Sequence, residues 1–100
     1  MSNRGIYATH RLYEESLLVS KNMVVECCSG EVDSVYPFEC EKHSMLWFDA
    51  IVLSKADCGN GIFKSRDEFL DIVASAVPSD RLHAYGINDD RDVCVVSRLS

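Results

Sequence analysis

The residues with the most chemical capacity in this 100-residue chain are five cysteines (Cys27, Cys28, Cys40, Cys58, Cys94) and three histidines (His10, His43, His83). Cys40-Glu41-Lys42-His43 has a Cys-x-x-His spacing, and Cys27, Cys28 and Cys58 are the thiols that would have to complete a zinc site around it. Structural zinc is usually held tetrahedrally by two closely spaced ligand pairs. Here only one such pair exists, and Cys27-Cys28 has no spacer, so buried small hydrophobes and a surface His are the plainer reading. A nucleophilic thiol needs its pKa lowered by a helix N-terminus or a nearby cation. Cys58 precedes the turn Cys58-Gly59-Asn60-Gly61, but the next helix starts near Arg66, too far along the chain to act on it by adjacency.

Two further motifs fail on spacing. Gly59-Asn60-Gly61 followed by Lys64-Ser65 invites a phosphate-loop reading, but that loop needs Gly directly before Lys-Ser, and Phe63 stands there. Asn88, Asp90 and Asp92 echo the first ligands of a calcium loop, yet the sixth position is Val93 and the twelfth Leu99, where Gly and Glu are required. No cofactor and no metal are therefore expected. An enzyme, as a small oligomer with shared sites, would need His10, His43 or His83 to converge with a carboxylate in an apolar pocket. No spacing in the sequence places such a pair.

The carboxylates carry more information. Glu26, Glu31, Asp33, Glu39 and Glu41 lie in sixteen residues that contain no Lys or Arg, so this segment holds −5 of the formal net charge of −6. Glu31/Asp33 and Glu39/Glu41 are i,i+2 pairs, which on a strand share a face about 6.5–7 Å apart. Such a row suits a basic partner. The bland alternative is a solvated strand whose acids guard an edge and aid solubility. No matching basic cluster exists, which disfavours direct binding to nucleic acid or anionic membranes.

The elements that would position these residues follow from pattern. One hundred residues make one domain, with ordinary apolar (47%) and charged (26%) fractions. The N-terminus lacks the apolar core of a signal peptide, and the most apolar stretch, Met45 to Leu53, is too short for a membrane helix. A reduced, cytoplasmic chain is expected, its thiols free. Residues 6–13 lean to a strand. Ser16–Val19 and Met23–Cys27 flank Ser20-Lys21-Asn22 and suggest a hairpin, and Glu31–Tyr36 alternates as a half-exposed strand closed by Pro37. Residues Ser44–Ala56, reaching back toward Glu39, fit a helical template at Met45, Phe48, Val52 and Leu53, although a buried strand satisfies the same run. Ser65 and Glu68 form a capping box for a second helix with Phe69, Ile72, Val73, Ala76 and Val77 inward, stopped by Pro78. Leu82–Ile87 and Val93–Leu99 read as a C-terminal hairpin.

The expectation is an α+β fold: a small, mostly antiparallel sheet, two helices packed on one face, and a C-terminal β-hairpin. The expected function is a non-enzymatic protein-binding module, an inhibitor or adaptor that meets a basic, possibly nucleic-acid-binding, protein surface through Glu26, Glu31, Asp33, Glu39 and Glu41. Phage and mobile-element anti-defence proteins such as anti-CRISPRs share this character of size and charge, without any motif in common. The alternatives are a thiol or zinc protein using Cys27/Cys28, Cys40, His43 and Cys58, and a small oligomeric enzyme.

Overall fold

The structure, a computed structural model, describes residues 4–41 and 44–100. The described residues form seven strands in one sheet and one helix: β1 (Arg4–Glu14), β2 (Leu17–Cys28), β3 (Glu31–Pro37), β4 (Met45–Ala56), β5 (Gly61–Phe63), α1 (Arg66–Ser75), β6 (Pro78–Asp90) and β7 (Val93–Arg98). This corrects the expectation of an α+β fold with two helices on a small sheet: 67% of the described residues are strand, and the single helix among them is short. The strand order is β3-β2-β1-β4-β6-β7-β5, with β1/β4 parallel and every other pair antiparallel.

The element expected to be a helix over Ser44–Ala56 is β4, at the middle of the sheet. Its residues from Ala50 to Ser54 are all buried, because Ala50, Val52 and Ala56 pack toward α1 while Phe48, Ile51 and Leu53 pack on the opposite side. A strand buried on both faces loses polar alternation, so its apolar run satisfies a helical template by accident. The alternation slips near Asp49, since Phe48 and Ala50 share parity but belong to different clusters. There the Asp49 N–H donates to Asn88 Oδ1 (3.3 Å) and the Asp89 N–H to Asp49 Oδ2 (2.8 Å), side-chain bonds that stand in for the ladder.

The hairpin expected around Ser20-Lys21-Asn22 is also corrected. Those residues lie inside β2, where Asn22 takes a positive φ of 54°, and the chain reverses instead at Glu15-Ser16 and Ser29-Gly30. Ser29 and Gly30 both have positive φ (52° and 80°), the combination of a two-residue turn that matches strand twist. The strand at Glu31–Tyr36 and the C-terminal hairpin appear as β3 and β6/β7, the latter turning at Arg91-Asp92.

The helix begins at the expected cap, with the second half of the box displaced by one residue: Glu68 reaches the N–H that precedes the N-cap and not that of Ser65 itself. Ser65 is its N-cap, Glu68 N–H donates to Ser65 Oγ (3.2 Å), and the Glu68 carboxylate accepts from Lys64 N–H (2.7 Å). Phe69, Leu70 and Val73 are buried, whereas Ile72 lies on the exposed face of the helix and Val77 is exposed beyond its end, the chain leaving helical geometry at Ala76. Each buried large side chain stabilises by about 1.5–3 kcal/mol, against about 1 kcal/mol for the cap, so packing rather than capping holds the helix. Phe69 lies between Phe63, tilted to it, and Tyr85, edge-on to it, with ring centroids 5.2 and 5.5 Å away.

Two cores lie on the two faces. The helix-side core contains Ala50, Val52, Phe69, Val73, Tyr85, Ile87, Cys94 and Val96. On the other side the sheet curls around Leu12, Val25, Cys27, Phe48, Ile51, Leu53 and Ala84, until β3 approaches β6. Arg81 Nη2 crosses that gap to the Gly30 carbonyl (2.8 Å). Because β1 and β4 are parallel, the connection after β3 must return along the sheet before β4 can start. Its described part, Phe38–Glu41, starts with Phe38 N–H bonded to Asn22 O (2.9 Å) and brings Phe38 edge-on to Trp47 (5.0 Å).

Candidate functional site

Trp47, Ala8, Val24 and Tyr36 are successive register partners, forming a row across β4, β1, β2 and β3. Ala8 and Val24 are buried in this row, and Trp47 and Tyr36 are half-buried at its ends. Trp47 is held on three sides. His10 stacks on its ring (5.1 Å, 29°), Phe38 meets it edge-on, and its indole N–H donates to Glu41 Oε1 (3.3 Å). Beside it, Val24, Tyr36, Pro37, Glu39 and Cys40 line a groove of about 390 Å³.

The five acids singled out by sequence fall in three places, and of them only Glu39 lines this groove. Glu26 and Asp33 are gathered by Arg4, whose Nη2 donates to Asp33 Oδ2 at 2.7 Å and whose Nε lies 3.4 Å from Glu26 Oε1. The Glu26 carboxylate also accepts a hydrogen bond from the Tyr36 hydroxyl. A β-bulge makes this possible: Cys27 faces Val32 and Glu26 faces Ser34, leaving Asp33 as the extra residue. Glu31 lies 3.9 Å from Arg81 Nη2, a loose and exposed pair. Glu39 and Glu41 sit on the connection. Glu39 lines the groove with no ion-pair partner among the described residues, and Glu41 receives the Trp47 N–H.

Sequence reasoning missed Arg4, which is twenty-nine residues from Asp33 and outside the acidic segment. It also missed His10, Phe38 and Trp47 as one cluster. Their signal was spatial: nothing in the local pattern of residues 6–13 and 44–56 reveals that the two segments are parallel neighbours.

The thiols do not assemble. Among the described residues no group of three or more His, Cys, Asp or Glu is placed to hold a metal ion. Cys27 faces the curled core and Cys28 is half-exposed. Cys40 is exposed at the groove, and His43 lies outside the described residues. Burial pushes the Cys27 thiol up to about 11. Cys58 is raised by burial and then by the Asp57 and Glu15 carboxylates, and Cys94 by burial and then by Asp89. These shifts oppose thiolate formation, the reverse of what a nucleophile needs.

Neither of the described histidines, His10 and His83, forms a base with an orienting carboxylate either. His83 is buried, with Ser79 Oγ 3.3 Å from Nε2 and Arg98 Nη2 3.0 Å from Nδ1. Nδ1 also lies 3.2 Å from the Ser100 carbonyl oxygen, so this ring nitrogen sits between a donor and an acceptor. Ser79 in turn donates to the Lys55 carbonyl (2.7 Å). This cluster ties β6 to the end of β4, and among the described residues no carboxylate bonds the His83 ring. His10 lines an open cleft with Asp49 and Asp89, but among the described residues its ring accepts or donates no hydrogen bond to either carboxylate.

No helix of the described residues is long and apolar enough to cross a membrane. Comparison with protein families, with curated proteins and with solved structures found no match.

Proposed function

We propose that this protein is a binding module whose groove at Tyr36, Pro37, Glu39 and Cys40 receives a basic side chain from a partner protein. The observation that carries the reading is the coincidence of an aromatic-walled groove with the acidic segment. A Lys or Arg entering it meets the Tyr36 ring, the Glu39 carboxylate and, at the margin, Glu41 beside Trp47. Aromatic faces attract cations by about 0.5–2 kcal/mol depending on desolvation, and the carboxylates add charge-assisted hydrogen bonds. The module is a cytoplasmic, non-enzymatic inhibitor or adaptor in this reading.

The acids have unequal parts. Glu39 and Glu41 face the incoming cation, Glu31 contributes at long range, and Glu26 with Asp33 is offset by one charge through Arg4. The test is affinity capture from the native source with the wild-type chain and with Glu39→Lys/Glu41→Lys. A basic protein captured stoichiometrically by the first and lost by the second supports the reading. A partner retained equally by both removes it.

A further inference from the structure

Between α1 and the Phe38–Glu41 connection the sheet is left open as a cleft of about 570 Å³, lined by His10, Arg11, Lys21, Asn22, Asp49, Arg66 and Asp89. Its charge is opposite to that of the chain. Three permanent cations stand against two carboxylates in a protein whose formal net charge is −6.

Arg11 and Lys21 are direct cross-strand partners on β1 and β2. Like charges placed opposite one another cost stability, and a chain with 16 acids has ample means to neutralise them. Yet among the described residues neither side chain has an ion pair or hydrogen bond. The two carboxylates are already engaged. Asp89 is bound by Arg66 Nη2, and Asp49 Oδ2 accepts the Asp89 N–H at 2.8 Å. Arg66 is mostly withdrawn from solvent, its side chain 17% exposed. Its Nη1 reaches the Tyr13 hydroxyl (3.5 Å), and its Nε is buried without a partner.

We infer that this cleft binds a small anion bearing a phosphate group, held between the Arg11/Lys21 pair and Arg66. An oxyanion with several acceptor oxygens satisfies two adjacent cations at once, which water does weakly and a single carboxylate does partially. The volume suits a small molecule, and three cations in an otherwise acidic chain are too few for a nucleic-acid polymer. The His10/Trp47 stack lines one margin, so a phosphate ester carrying a flat ring has a surface to lie against. The source is either free inorganic phosphate or such a ring-bearing monoester.

The experiment titrates the whole chain with inorganic phosphate and, separately, with a nucleoside 5′-monophosphate, at constant ionic strength. Trp47, the chain's one tryptophan, provides the fluorescence signal, and amide spectra map the site. The expected result is saturable binding below about 10 mM, with shifts at Arg11, Lys21 and Arg66. Arg11→Ser/Lys21→Ser should weaken it about tenfold or more. Both residues are exposed and their charges oppose one another, so thermal melting should be unaltered or slightly raised, and Lys21→Ser alone gives a milder second variant. Equal affinity for both ligands assigns the site to the inorganic anion. Tighter monophosphate binding that His10→Ala abolishes assigns it to the ring-bearing ester. Linear, unsaturated responses to both ligands, or saturable binding unchanged in Arg11→Ser/Lys21→Ser, would overturn the inference.

Discussion

Arg4 Nη2 donates to Asp33 Oδ2 at 2.7 Å, joining the first strand of the sheet to a bulged residue on its edge strand. The same guanidinium approaches Glu26, which is the more buried of the two acids. One cation is thus shared by two of the five acids that make residues 26–41 conspicuous in the sequence, and offsets one of their two charges.

Arg4→Ala is therefore predicted to raise the effective negative charge of the groove face. Ion pairs with an exposed partner contribute about 0–1 kcal/mol each, so the variant should stay folded. Its association with a cationic peptide should become faster at low salt. Stopped-flow association rates at two ionic strengths check this; a rate no higher than wild type would show that Arg4 does not restrain the field of this face.

Tyr85 is fully buried, with its hydroxyl donating to Ala56 O (2.5 Å) and accepting from Cys58 N–H (2.9 Å). Tyr85→Phe keeps the ring and strands both backbone groups. The expected cost is about 1–3 kcal/mol, measured by urea denaturation. A smaller loss would mean that water reaches the end of β4 in the variant.

Gly86 is required by its neighbour Phe48. A methyl group added at Gly86 would lie 2.6 Å from Phe48 Cε1, below any contact that real side chains adopt. Gly86→Ala is predicted to destabilise by about 1–3 kcal/mol. Phe48→Leu should remove part of that penalty, giving a favourable coupling of about 1 kcal/mol in a double-mutant cycle. Additive effects would place the strain elsewhere.

Cys27 gives a pH dependence whose sign can be worked out. Its folded thiol titrates at about 11, against about 9 for a free thiol. Between these values the unfolded chain is the more ionised, so the stabilising difference is intact below about pH 9 and is lost progressively as the pH rises to about 11. The raised values of Cys58, Cys94, Tyr7 and Tyr85 act in the same direction. Urea midpoints across this range should fall in the wild type and fall less in Cys27→Ala. Parallel curves would assign the slope to the other groups.

What the sequence reveals and conceals follows from how far each signal reaches. The Ser65/Glu68 cap is legible because its partners are three residues apart, and the C-terminal hairpin because the polar turn at Arg91-Asp92 separates two apolar arms. The β4 strand is misread as a helix because both of its faces are buried, which erases the polar alternation that distinguishes strand from helix. The acidic segment is visible as composition, but the sharing of Arg4 by Glu26 and Asp33 is not, since Arg4 reaches them only through the pairing of β1 with β2 and β2 with β3. The groove itself depends on the return of the chain after Pro37, a connection that no local pattern specifies.

The most direct test of the central claim is an amide-resolved titration of the protein with a short Lys/Arg peptide, repeated with Glu39→Lys/Glu41→Lys and with Cys40 alkylated by a bulky maleimide. Cys40 is exposed and lines the groove, so its modification fills the proposed site without touching the core. The account predicts saturable shifts at Tyr36, Glu39 and the Trp47 indole, weakened about tenfold or more by either change. Binding that maps to another face, or that both changes leave intact, would contradict it.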